Sequence, residues 1–219
     1  MPSQPMPMRL HGYFRSTASW RVRIALNLKG FGVEHVFHHL RRAEQRAADY
    51  LRVNPQGLVP ALELDDGATV LTQSLAICEW LDETRPQPPL LPGDAQERAR
   101  VRALALAIAC DIHPVQNLKV LARLRRLGVA EDAVTAWARD VVAEGLGACQ
   151  ALIPASRPGP FLFGPAPTLA ELCLVPQLFN ARRFGVDLAP FARLLAAEAA
   201  CQALPAFAAA APDQQPDAE

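Results

Sequence analysis

The sequence predicts an α/β domain followed by an all-α domain. Three observations carry that expectation. Strand and helix signals alternate through the first ninety residues, a Pro-rich run interrupts them at residues 85–94, and only helical periodicity follows.

Residues 8–13 form the first expected strand. Trp20, Ile24 and Leu28 recur at helical spacing within residues 19–29, and Gly30 supplies a stop. Residues 34–40 alternate and suit a second strand, and residues 42–53 a short polar helix that Pro55 and Gly57 break. The run "ALELDDGATVL" places two alternating segments around Asp-Gly, a hairpin signal. Residues 74–84 are helical, with Ile77, Cys78 and Leu81 on one stripe. The first two strands are expected to pair in parallel through a right-handed crossover, and the hairpin to add antiparallel strands. This is the order of a thioredoxin-like α/β domain, placed at residues 8–88.

The second domain is placed at residues 95–212. Val101, Leu104 and Ile108 define one stripe there, and Val134, Trp137, Val141, Gly145 and Ala148 another. Pro114 should kink or interrupt the first long helix. Thr168-Leu169-Ala170-Glu171 before an apolar run is a capping box, and Pro205 with the tail after it is expected to end the packed part. Trp20 and Trp80 are assigned to the core.

The 219 residues are 51% hydrophobic, enough for a sizeable core. Formal net charge is zero, which argues against a nucleic-acid partner. No apolar run reaches a membrane span of ~18 residues. The Pro-rich start reads as loose and without a secretory leader. The five cysteines, at positions 78, 110, 149, 173 and 201, lack ligand spacing. They read as reduced thiols of a cytoplasmic protein, and no metal site is expected.

The stretch "YFRSTASWRVRIAL" crowds Ser16, Thr17 and Ser19 at a helix start. One reading makes Ser19 the cap, with Ser16 and Thr17 filling a turn. The other uses the unpaired N–H groups and dipole of the first turn to stabilise an anion such as a thiolate. No cysteine lies in that turn, so the thiolate has to come with a ligand. In "NPQGLVPAL", Val59-Pro60 precedes a strand, and a cis bond there would present the Val59 backbone to a ligand. In "TQSLAI", Gln73 and Ser74 open a helix, a seat for a small carboxylate or simply a cap.

Together with "TQSLAICEWLDETRP", "LLPGD", "IHPVQNLKVL" and "LCLVPQLFNARRFGVDLAP", these motifs resemble the zeta-class glutathione transferases. That family includes maleylacetoacetate isomerase and maleylpyruvate isomerase. The resemblance runs from about residue 8 to the "QPD" at 215–217. It implies a glutathione transferase fold, a homodimer and glutathione as the bound thiol. It assigns thiol activation to Ser16 with Thr17 as alternate donor, the cysteinyl contact to Val59 beside Pro60, and the γ-glutamyl end to Gln73 and Ser74. It implies Arg183, and through its maleylpyruvate branch Arg15, for a small carboxylate substrate; Gln116 and His113, near the break at Pro114, are expected to reach the same cleft, Gln116 for the substrate and His113 for glutathione. For Arg15 and Arg183 the alternative is a solvated surface arginine, and for His113 a structural or polar surface residue. Asp111 is read as a cap near Pro114; Asn117 fits the family motif without an assigned role.

Two departures stand out. The family motif often reads Ser-Ser-Cys-Ser-Trp, whereas this chain has Thr17 and Ala18, so no side-chain thiol assists at position 18. The segment "GPAPTLAE" lacks the usual Gly-Asp but keeps Thr168 and Glu171. The implied activity is glutathione-dependent cis–trans isomerisation of a maleyl-type diacid, with maleylacetoacetate placed ahead of maleylpyruvate. A transferase that conjugates or dehalogenates small electrophiles is the alternative, and a non-enzymatic partner protein a further one.

Overall fold

Short alternating segments build a four-stranded sheet in the order β2-β1-β3-β4: β1 (Arg9–Gly12), β2 (Glu34–Phe37), β3 (Ala61–Glu63) and β4 (Val70–Thr72). β1 pairs in parallel with β2 and antiparallel with β3, and β3 pairs antiparallel with β4. The parallel pair and the hairpin are those the sequence predicts. In the hairpin turn Asp66 accepts from Ala68 N at 2.9 Å and Thr69 N at 2.8 Å, and Gly67 takes a φ of 69°.

The computed structural model describes residues 7–155 and 159–219. The reading of the Pro-rich start falls largely on residues 1–6, outside the described residues. The chain divides into two compact units, one running up to Leu90 and resuming at Leu204–Glu219, the other Leu91–Ala203. The residues after 203 therefore join the first unit, whereas the sequence places the second domain at 95–212. Pro205 does not end the packed part. It starts a short helix, Pro205–Ala208, and Ala210 and Gln215 beyond it are buried.

In the first unit the helix Thr17–Lys29, here α1, ends at Gly30 with φ 65°. It packs on helix Ser74–Thr84 and on the short helix Pro205–Ala208. A one-sided stripe was expected of α1, but Arg21 and Arg23 are buried beside Val22, Ile24 and Ala25. Lys29 is buried too, and its ammonium donates to Asp82 Oδ1 at 2.5 Å and to the carbonyls of Arg85 at 2.7 Å and Pro88 at 2.5 Å. Those bonds tie the Pro-rich segment to the sheet domain. Trp20 lies in the core, whereas Trp80 is half-buried.

Two elements are shorter than their patterns suggest. β2 stops at Phe37, because His39 turns to cap a 3-10 turn, accepting from Arg42 N at 3.2 Å. The helix expected over residues 42–53 is confined to α2 (Ala48–Val53), because Ala43 adopts φ 59° and two 3-10 turns precede it.

The second unit is helical: α4 (Ala95–Leu106), α5 (Leu118–Arg126), α6 (Glu131–Leu152), α7 (Leu169–Arg183) and α8 (Ala192–Gln202), with Ser74–Thr84 as α3 and Pro205–Ala208 as α9 in the first unit. α7 is buried along most of its length and packs against α4, α6 and α8. Its capping box is present: Glu171 accepts from Thr168 N at 2.7 Å and Thr168 Oγ1 from Ala170 N at 3.3 Å. The expected stripe on α6 is displaced. The buried line is Val134, Ala138, Val142, Leu146 and Cys149, while Trp137 stays 43% exposed and donates its indole N–H to Val115 O at 3.1 Å. Pro114 interrupts rather than kinks. α4 passes into a π-helical turn, Ala107–Ile112, in which His113 N bonds Ile108 O at 2.9 Å. Asp111 lies inside that turn, and Asn117 takes the position before α5.

Candidate active site

An N-cap needs an extended backbone and a side-chain oxygen that can reach back to the third helical N–H. Ser16 meets both conditions, with φ −67° and ψ 113°, and its Oγ accepts from Ser19 N at 3.2 Å. Ser19 is therefore not the cap. It sits one turn inside the helix and is fully buried. Because Ser16 Oγ accepts from the helix, its own O–H proton is left to donate elsewhere. Thr17 is 3% exposed, and among the described residues its hydroxyl has no partner. Ser16, half-buried, is the hydroxyl on the accessible side of the turn. Arg15 is half-buried beside it, its guanidinium carbon 5.5 Å from the Phe14 ring centroid.

The loop before β3 comes to the same place through packing. Val59 shares a buried cluster with Tyr13, Phe14 and Tyr50. The Val59–Pro60 bond is cis. The carbonyl before it, Leu58 O, is held from two sides by Tyr50 Oη at 2.6 Å and Asn54 Nδ2 at 2.7 Å. Burial raises the Tyr50 pKa to about 12, so that donor stays protonated. A side-chain bond between Gln73 Nε2 and Gln56 Oε1, 3.0 Å, joins this loop to the start of α3.

At the start of α3, Gln73 holds φ 68° and ψ 115°, a conformation that side chains rarely adopt. Ser74 follows, buried, with its Oγ 3.3 Å from Arg21 Nη1. Arg21 is 1% exposed, and its Nε and Nη2 have no partner among the described residues. A buried cation thus backs a helix N-terminus, and both favour an anion. Sequence reasoning missed Arg21, Gln56 and Tyr50. The one available signal was a pair of arginines, 21 and 23, on a helix with little polar face.

A histidine pair joins β1 to the residue after β2, with His11 buried and His38 half-buried. His11 Nδ1 and His38 Nε2 are 2.9 Å apart, and their rings stack at 5.2 Å. Burial lowers both pKa values; Glu63 beside His11 opposes the shift there, and His11 adds to it at His38.

The remaining candidates belong to the second unit. His113 and Gln116 lie in the turn after the π-helical segment, with Gln116 buried and its Nε2 unpaired among the described residues. Arg183 is exposed at the end of α7, donating to Asn180 Oδ1 at 2.9 Å. No helix among the described residues is long and apolar enough to cross a membrane.

Comparison with known proteins places this arrangement. A family model described as glutathione S-transferase, N-terminal domain, matches residues 15–84. A maleylpyruvate isomerase of a Ralstonia species is 49% identical over 212 residues, 96% of this chain and 99% of its own. The chain belongs to the zeta-class glutathione transferase family. The holo structure of a maleylpyruvate isomerase, a bacterial zeta-class enzyme, superposes on this zeta-class chain with a TM-score of 0.93 at 47% identity, covering 96% of this chain and 100% of that one. The maleylacetoacetate isomerase of Anaeromyxobacter dehalogenans 2CP-1, with glutathione bound in its active site, is 46% identical with a TM-score of 0.89, covering 99% and 100%. A second structure of that isomerase, with dicarboxyethyl glutathione and citrate, gives 44% identity and a TM-score of 0.88 over 99% of this chain and 96% of that one.

Proposed function

We propose that this zeta-class chain is a glutathione-dependent cis–trans isomerase of maleyl-type diacids, with maleylacetoacetate the first substrate to test. The observation that carries the reading is the convergence of the Ser16-capped start of α1, the cis Val59–Pro60 loop and the Arg21-backed start of α3, linked by the Tyr13–Val59 cluster and the Gln56–Gln73 bond. Maleylpyruvate is the second substrate, favoured by the 49% identical relative and by a turn that lacks cysteine.

The residues suit glutathione. Arg21, with two nitrogens unpaired among the described residues, gives Ser74 and the α3 N-terminus a positive field for the γ-glutamyl carboxylate. Gln73 is held beside it in a strained backbone, and the Val59 main chain is proposed to pair with the cysteinyl part. Glutathione, when bound, supplies the sulfur whose reversible addition lets the cis double bond rotate. Ser16 would donate a hydrogen bond from its hydroxyl to that sulfur, holding it as the anion, and the first turn of α1 adds its dipole. A thiol pKa lowered by two units corresponds to ~2.7 kcal/mol in favour of the anion. Thr17, buried, supports the turn rather than the sulfur. Arg15 and Arg183 are each proposed for a substrate carboxylate, which the paired N–H donors of arginine suit, Gln116 for the diacid and His113 for glutathione.

The protein is proposed to act as a cytoplasmic homodimer in aromatic catabolism; five cysteines outside any disulfide, four of them buried, support a reducing compartment. The deciding experiment supplies each diacid with a trace of glutathione. Isomerisation that continues over many turnovers with the thiol pool intact is expected. Stoichiometric loss of thiol would replace the isomerase with a conjugating transferase, and no uptake of glutathione would remove both.

A further inference from the structure

We infer that residues 204–219 brace the turn that carries Ser16, and that Asp217 and Arg23 are positioning residues for it. This rests on the reading of Ser16 as the group that holds the glutathione sulfur.

Phe14 is buried two residues ahead of Ser16, so its main-chain N–H and carbonyl both need partners from the protein. Neither partner is local. The N–H donates to Asp217 Oδ2 at 2.9 Å, and the carbonyl accepts from Arg23 Nη2 at 2.9 Å. Arg23 also reaches Tyr13 O at 3.4 Å, and Tyr13 O in turn receives Ser16 N at 3.0 Å. The peptide that sets where Ser16 begins its helix is thus held at every polar atom named.

The same arginine holds the brace. Its Nε donates to Ala210 O at 3.0 Å, so one buried guanidinium bridges the turn and the returning segment. The segment is pinned along its length. Asn27 Nδ2 donates to Ala206 O at 2.9 Å, and Gln215 Nε2 to Ala209 O at 3.0 Å and Ala211 O at 2.9 Å. Beyond Asp217, Glu219 Oε1 meets His39 Nε2 at 2.8 Å, with Arg42 at 3.7 Å. Asp217 is also the acid whose field supports the charge on Arg23, which burial opposes.

Loss of the Asp217 carboxylate leaves a buried N–H without an acceptor, and the turn must shift to satisfy it. A displacement of ~1 Å at a catalytic group costs on the order of 10²-fold in rate. Charge and position act in opposite directions. Removing a negative charge near the site, taken alone, lowers the pKa of a bound thiol; moving Ser16 away from it raises that pKa.

The test is an ultraviolet titration of enzyme-bound glutathione, run with steady-state kinetics on the full chain. Asp217→Ala is expected to raise the thiol pKa by about one unit and to lower kcat ten- to hundredfold. Asp217→Asn keeps an acceptor for Phe14 N and is expected to restore most of kcat without that rise. Should Asp217→Ala not fold, Asp217→Glu, which moves the carboxylate by one methylene, serves in its place with a smaller rise. A wild-type thiol pKa that falls on binding, with the same value in Asp217→Ala, overturns the brace alone, whatever the change in melting temperature. A fall in thiol pKa in Asp217→Ala, the signature of charge without displacement, overturns it as well, whereas a small fall in Asp217→Asn is what the brace predicts. A wild-type thiol pKa that does not fall on binding removes the role of Ser16, and the brace with it.

Discussion

At the scale of single residues, the site separates two hydroxyls that adjoin in sequence. Ser16 caps α1 from an accessible position, and Thr17 is buried behind it. Ser16→Ala should raise the pKa of bound glutathione by one to two units, slow turnover in proportion, and cost ~1 kcal/mol of stability through the lost cap. Thr17→Val should leave the thiol titration where it is. The two titrations, read beside thermal melts, check both statements. Gln73 makes a complementary case. Its positive φ is a strain of ~1 kcal/mol that glycine would relieve, so Gln73→Gly should stabilise the chain while weakening glutathione binding. Urea unfolding and calorimetric titration, moving in opposite directions, would demonstrate it.

At the scale of elements, close approach decides which side chains are permitted. A Cβ added at Gly145 on α6 would fall 2.3 Å from Ile112 Cγ1, at the end of the π-helical turn that precedes His113 and Gln116. Ile112 is buried, so Gly145→Ala should cost ~1–3 kcal/mol by overpacking. Kinetics should respond too, through a weaker KM for the diacid if the turn moves. Denaturant melts and steady-state assays separate the two effects. Here the sequence pointed to the right residue for the wrong reason. Gly145 belongs beside the buried line of α6, while Trp137 and Val141, larger and more apolar, do not. The indole N–H of Trp137 finds its acceptor at the rim, and small residues let neighbouring elements come close.

At the scale of the whole molecule, what could be read in advance follows the range of its cause. Gly30, the Asp-Gly hairpin and the Thr168–Glu171 box act over three or four positions, and all three occur as expected. The fold class and the family followed from their order. The buried arginines, the strained Gln73 and the placement of the last sixteen residues depend on partners far along the chain. Arg21 meets Ser74 across 53 positions and Arg23 meets Ala210 across 187, distances over which no local pattern carries information. The histidine pair was missed for the same reason, and it has a measurable effect. His11 and His38 have native pKa values below their ordinary 6.5 because burial disfavours the cation. The unfolded chain therefore binds more protons in that window, and stability rises with pH there. Their contribution is complete above about pH 6.5 and is lost as pH falls through the lowered native values. Melting temperatures recorded from about pH 8 to pH 5 should fall more steeply for the wild type than for His38→Gln, whose amide can keep the bond to His11.

The first unit is interrupted by the second. Residues 7–90 can find their sheet early in synthesis, but Phe14 N and the Nε donor of Arg23 wait for acceptors that follow residues 91–203. The half of the molecule that begins first is thus finished last. A nascent chain stalled before position 204 would carry a helical unit with every one of its residues and a sheet unit with an open seam.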